Sequence, residues 1–319
     1  MLTSAGSRPL TTALRVLAPL ALLLTPATAC GPAPAVRVAP SAPAPVPVPT
    51  LPAGPDGRTA VFAHGPRYGG GATGRASGAA RPVALTFDAD MTSDDGARAA
   101  GGARFDNPAL IASLRRMRVP ATVFVTGRWA EQYPDQTRSI GRDPLFEVAN
   151  HSYAHHSFTP SASCYGLPAL APEAMRGDVD RAFAAFRRAG VTRPVPYFRF
   201  PGGCYDDHAL RAVAPAGVTV VQWDVIGGDA FARNPDRVAE QVLAGVRPGS
   251  VVVLHCTRSA APATEEAVRT IVPTLRKRGY RFVRVSELIA AARGAKSRSG
   301  PERVSPAPER VPPGPERSH

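Results

Sequence analysis

Between Arg81 and about residue 291, short apolar runs alternate with longer stretches whose apolar positions recur at helical spacing. The runs begin at Val83, Val119, Leu145, Pro196, Val218, Ser250 and Tyr280, and each has the near-continuous apolar character of a strand covered on both faces. Between them, Leu110, Ile111, Leu114 and Met117 mark one helical face. Met175, Val179, Phe183 and Phe186 mark a second, and Val268, Ile271, Val272 and Leu275 a third. Asn107-Pro108 and Asn234-Pro235 each offer a capping side chain followed by a proline suited to the first helical position. Gly190 and Gly279 stop two of the helices. No hairpin signal joins any pair of runs. Strand–helix alternation predicts parallel strands with helices outside, as an open sheet or a barrel.

Most runs end in residues capable of chemistry. V-A-L-T-F-D-A-D-M leads into Asp88 and Asp90, and the third run leads into N-H-S-Y-A-H-H with His151 and His155. Later runs end in Arg199, in Trp223 with Asp224 and Asp229 beyond it, and in His255. Carboxyl ends of parallel strands gather at one rim, where a carboxylate has a low-dielectric core behind it and a cleft in front. Two histidines four apart, with a strand-end acid as third ligand, suit a divalent cation. Imidazole with carboxylate favours Zn2+, with Co2+ or Ni2+ as substitutes. No G-x-G-x-x-G or P-loop follows a strand, so no nucleotide cofactor is expected.

Composition sets the flanks. The 35 prolines and 29 glycines among 319 residues concentrate toward the ends, which predicts a Pro/Gly-rich linker over 31–80, a folded domain over 81–291 and a disordered basic tail over 292–319. Residues 1–30 read as an export signal. Arg8 and Arg15 precede the apolar run Val16–Leu24, and Ala27 and Ala29 lie just before Cys30. The end of this segment resembles a bacterial lipoprotein signal, which implies lipidation of Cys30 and anchoring on the outer face of the cell membrane. Ala27 stands where that motif has leucine, so cleavage after Ala29 and simple secretion is the alternative. A net charge of +13 predicts an anionic neighbour, a wall polymer or membrane surface. No aromatic-interleaved basic motif points to nucleic acid. A monomer is expected.

The order T-F-D, H-S-x-x-H, R-x-P-G-G, W-D-x-x-x-x-D and L-H resembles the five motifs of NodB-type polysaccharide deacetylases, carbohydrate esterase family 4. The resemblance covers about residues 82–290. It implies a distorted (β/α) barrel of seven or eight strands that removes acetyl groups from N-acetylated sugars or acetylated xylan. Residue by residue it implies Asp88 as catalytic base, His151 and His155 as metal ligands, and Arg199 as the group orienting the base. It also implies His255 as catalytic acid and Asp229 as its tuning carboxylate, with Asp224 the fallback. Leu254 and Trp223 would wall the substrate groove. A backbone N–H of Gly202 or Gly203 would meet the developing oxyanion.

Three departures accompany the likeness. The second acid of the usual T-F-D-D-G is replaced by Ala89, so either Asp90 reaches the metal from one residue further on or water completes the site. Gly202 replaces an aromatic, for which Tyr205 is the expected stand-in. Ala230, followed by Phe231, replaces a tryptophan. The Ala89 change also motivates a second reading, a catalytically impaired glycan-binding lipoprotein; a different amide hydrolase on the same barrel is a third. Cell-wall peptidoglycan is the expected substrate from the export signal and charge, with chitin-type glycans and acetylated xylan as alternatives. Beyond Cys30 the cysteines are Cys164, Cys204 and Cys256. Successive strand-end loops meet at one rim, which predicts a Cys164–Cys204 disulfide, with Cys204–Cys256 as runner-up.

Overall fold

The computed structural model describes residues 47–67, 81–159 and 164–299. Among these residues nine strands form one sheet: β1 (Val61–Phe62), β2 (Arg81–Ala89), β3 (Ala121–Val125), β4 (Phe146–Asn150), β5 (Tyr197–Phe198), β6 (Thr219–Val221), β7 (Val225–Ile226), β8 (Val251–His255) and β9 (Tyr280–Phe282). Nine α-helices among the described residues cover it: α1 (Asp95–Ala100), α2 (Pro108–Arg116), α3 (Gly127–Gln132), α4 (Pro134–Gly141), α5 (Met175–Arg188), α6 (Asp207–Val213), α7 (Pro235–Gly245), α8 (Thr264–Lys277) and α9 (Val285–Ser299). Every ladder between the strands is parallel, in the order β1-β6-β5-β4-β3-β2-β8-β7, with β9 beside the start of β2. Among the described residues β6 and β7 share no ladder, so this is a curled, incompletely closed (β/α) barrel.

The predicted caps form: the side chains of Asn107 and Asn234 accept from the backbone N–H groups of Leu110 and Asp236. Strand alternation divides the core. Val83, Leu85, Phe87 and Ala89 of β2 belong to the layer between sheet and helices, with Trp129, Phe186 and Leu275. Ala84, on the opposite face, packs with Phe124, Val251, Leu288 and Ile289, the last two supplied by α9. Emptying one of these buried aromatic positions, as in Phe87→Ala, should cost about 3–5 kcal/mol.

Two boundaries differ from expectation. Part of the supposed spacer is structured: β1 pairs with β6, Leu51 donates its N–H to Thr219 Oγ1, and Tyr197 donates its hydroxyl to the Pro49 carbonyl. A two-residue strand paired across roughly half the chain has no periodicity for a sequence reading to find. At the other end, α9 continues to Ser299, past the expected start of the tail. The export segment, Cys30 and the glycine-rich stretch 68–80 lie outside the described residues. No helix among the described residues is long and apolar enough to cross a membrane.

Candidate active site

The rim at the carboxyl ends of β2, β4 and β8 carries the site. Parallel pairing sets Asp88 directly opposite His255. The same alternation that sends Phe87 and Ala89 toward the helices returns Asp90 to the side of Asp88. Ala89 is therefore a core residue, and the second acid of the site is Asp90.

Asp88 is held by Arg199, whose Nη1 donates to Oδ1 at 2.6 Å. Arg199 is fully buried; its Nε donates to the Val221 carbonyl, and its guanidinium lies 3.9 Å from the Phe124 ring centroid and 5.4 Å from that of Trp223. A buried charge fixed on so many sides gives Asp88 one orientation, with Oδ2 left facing His151 Nε2 at 3.7 Å.

His151 Nδ1 lies 2.9 Å from the Arg199 carbonyl, which can only accept, so Nδ1 carries the proton and Nε2 faces the carboxylates. The loop then turns sharply, with Ser152 (φ 70°) and His155 (φ 57°) in the left-handed region uncommon for such residues. Side chains hold it there. Asn150 accepts from the Ser152 N–H and donates to the Val179 carbonyl, Ser152 Oγ accepts from the His155 N–H, and Asp178 of α5 accepts from the Tyr153 N–H. The imidazoles of His151 and His155 end 5.0 Å apart, centroid to centroid.

Ligand atoms of Asp90, His151 and His155 all lie within 4.8 Å of one another, and Asp90 Oδ1 is buried without a hydrogen-bond partner. An orphaned anionic oxygen beside two imidazole nitrogens is a donor set that fits a divalent cation. Burial would raise the Asp90 pKa, but His155 and His151 outweigh it and hold the carboxyl well below the usual carboxylate range. Burial pushes His155 down to about 4, which keeps it neutral and able to ligate. For His151 burial also favours the neutral ring, yet Asp88 and Asp90 reverse the balance and the pKa rises. A cation binding there must displace that proton.

His255 has a different partner. Its Nδ1 is 2.9 Å from Asp229 Oδ1, and its backbone N–H donates to Oδ2 at 2.7 Å. Thr264 donates to the same Oδ2 at 2.5 Å. Burial opposes the imidazolium, but Asp229 wins and lifts the pKa to about 10. Asp224 is bonded instead to Ser250, the Val251 N–H and Arg67, away from His255.

The groove walls differ from expectation. Tyr205 stacks on Phe200 at 5.4 Å and packs with the outer cluster of β5, β6, α5 and α6. The ring over Gly202 is Tyr165: a Cβ on Gly202 would fall 3.0 Å from it and 2.7 Å from Cys164 Sγ. Cys164 and Cys204 are joined in a disulfide, which fixes Tyr165 there, while Cys256 is free and buried. A Cβ on Gly203 would meet Trp223 at 2.5 Å, so Trp223 lines the opposite side of this turn. Gly202 and Gly203 both have positive φ, and the Gly203 N–H already donates to the Phe200 carbonyl. Leu254 is fully buried on the face of β8 opposite His255, against Gly227, so it is core and not an open wall. Tyr165 and the bracing residues Asn150 and Asp178 escaped sequence reasoning. The available signal was polar residues set among apolar ones, in a strand for Asn150 and a helix for Asp178.

Buried carboxylates, an anchored arginine and three histidines gather at the open end of a parallel (β/α) barrel, a set of groups suited to hydrolysis with room for a cation among them. Residues 75–221 match the family model described as polysaccharide deacetylase. The chain is 30% identical over 211 residues to a chitooligosaccharide deacetylase of Bradyrhizobium sp., covering 63% of this chain and 87% of that protein. It is 27% identical over 184 residues to a peptidoglycan-N-acetylglucosamine deacetylase of Bacillus cereus, covering 57% and 81%. Its structure resembles that of a family 4 carbohydrate esterase from Streptomyces lividans in complex with acetate. That match has a TM-score of 0.50 at 28% identity and covers 63% of this chain and 90% of that one. The chain belongs to the NodB-type polysaccharide deacetylases of carbohydrate esterase family 4 and is a hydrolase of that family.

Proposed function

We propose that this protein is an exported, metal-dependent deacetylase of N-acetylated sugars in cell-wall peptidoglycan. The observation that carries the reading is the pairing of an anchored carboxylate, Asp88, with a carboxylate-backed imidazole, His255, across one ladder position. Asp90, His151 and His155 would hold the cation, with Zn2+ the best match to the donor set. Such a cation supplies an acidified water and polarises the acetyl carbonyl. Asp88 takes a proton from the attacking water, its orientation set by Arg199. His255 donates a proton to the sugar nitrogen as the C–N bond breaks, releasing acetate and a free amine. The Gly202 N–H, outside the bond that engages Gly203, meets the oxyanion.

Asp90 in the ligand cluster removes the motive for an impaired protein that Ala89 supplied. Export and lipidation rest on the arrangement of Arg8, Val16–Leu24, Ala27, Ala29 and Cys30, and the peptidoglycan assignment follows from that address and the net charge of +13. Acetate release from peptidoglycan, chitin oligomers and acetylated xylan, with and without chelator, tests the activity. Chelator-sensitive release is expected, greatest from peptidoglycan; full activity after exhaustive chelation would refute metal dependence. Cys30→Ser should move the protein from the membrane fraction to the medium, and an unchanged distribution would refute lipidation.

A further inference from the structure

The loop that buries Asp229 behind His255 emerges two residues later with Phe231 68% exposed. Its ring lies 6.0 Å from that of Tyr165, itself 51% exposed and held over Gly202 by the disulfide. Of the four exposed large hydrophobic residues among those described, three are Tyr165, Ile226 and Phe231. Such a concentration at one rim marks a surface that something covers. From Phe231 a cleft of about 900 Å3 runs along α7, lined also by Ile226, Arg233, Arg237, Glu240 and Gln241. Two guanidiniums face one carboxylate in this lining. Among the described residues, neither Arg233 nor Arg237 lies within ion-pairing distance of an acid; several other surface arginines share that state, and what sets these two apart is their place in the cleft beside Phe231. Guanidinium is the side-chain group best shaped for carboxylate, and an aromatic face suits the apolar side of a pyranose ring.

We propose that this cleft is a second glycan subsite, continuous with the catalytic groove, that takes a sugar ring on Phe231 and a carboxylate of the same strand on Arg233 and Arg237. The proposal rests on the deacetylase reading and narrows its substrate to glycans bearing acidic substituents near the acetylated sugar. A neutral glycan would leave both guanidiniums of the cleft without an anionic partner.

The test uses the full chain and soluble peptidoglycan strands, either with free carboxylates or with the carboxylates amidated by methylamine. Kd and acetate release are measured for both, alongside a chitin pentamer. The wild type should bind the free-carboxylate strand about 10-fold more tightly, the size expected of two exposed charge-assisted contacts. That preference should fade at high salt, where such contacts are screened. Arg233→Gln with Arg237→Gln should bring the ratio to about one, and Arg237→Glu should invert it. Phe231→Ala should weaken binding of both strands. Equal affinity of the wild type for the two strands would overturn the subsite, as would a preference surviving in the double variant. Preferential binding without acetate release from any polymer would leave the subsite standing and overturn the deacetylase reading instead.

Discussion

His151 and His255 both spend Nδ1 on a fixed partner at 2.9 Å, but the partners differ in charge. Behind His151 stands the neutral carbonyl of Arg199; behind His255 stands the buried carboxylate of Asp229. A carbonyl fixes the tautomer, so that Nε2 offers a lone pair once a cation displaces the proton that Asp88 and Asp90 favour there. A carboxylate stabilises the doubly protonated ring. One residue type is thus suited to ligation on one side of the site and to proton donation on the other, the roles proposed for them, through the atom turned away from the cleft.

The comparison breaks most completely at the ligand side. His151→Ala should reduce bound metal from about one per chain toward zero, and activity should fall by more than the ~100-fold typical of losing an outer-shell partner. Asp90→Ala should weaken metal affinity by at least about 10-fold; unchanged affinity would show that water or another residue completes the site.

On the acid side, Asp229→Asn should lower kcat by about 100- to 1,000-fold. Because Asp229 raises the His255 pKa to about 10, activity requiring the imidazolium is lost as pH rises through the folded value. The asparagine variant should therefore lose activity at lower pH than the wild type. A bound dication would draw both limits downward without changing their order. The stability contributed by this pair is full below the unfolded histidine value and declines as pH rises toward about 10. An unmoved alkaline limb would separate Asp229 from acid function.

Smaller effects concern what holds the two sides in place. Replacing Cys164 and Cys204 with serine opens a covalent link across a sequence separation of 40 and should cost about 3–4 kcal/mol. It should also raise KM through Tyr165, and a calorimetric scan with steady-state kinetics would read both. Least of all, Asp178→Asn should stabilise slightly. Burial lifts the Asp178 pKa to about 6, so ionisation of this carboxyl opposes folding by an amount that grows as pH rises from the ordinary carboxylate range and is complete above about 6. Asparagine keeps the acceptor for Tyr153, and a gain of about 1 kcal/mol, a few degrees in Tm, is expected at pH 8, smaller at pH 5 and absent near pH 3, below the ordinary carboxylate value.

The order of strand-end residues was legible because parallel strands bring their carboxyl ends together wherever the helices go. Asn107 and Asn234 were legible because capping is local. Leu254 was misplaced by following its neighbour His255, although alternation along a strand puts adjacent residues on opposite faces. Tyr165 was out of reach for a deeper reason. It belongs to a loop without periodicity, and only the link from Cys164 to Cys204 tells where that loop lies. Val61–Phe62 was lost in a proline-rich stretch because its pairing with β6 depends on distant sequence.

The bonds from Pro49 and Leu51 to Tyr197 and Thr219 fall at the first residues of β5 and β6, the end of the barrel opposite the catalytic rim. The described chain therefore begins stapled to that end of β5 and β6, the two short strands that precede Arg199 and Trp223, so the floor of the barrel is closed by residues from a stretch with almost no periodicity of its own.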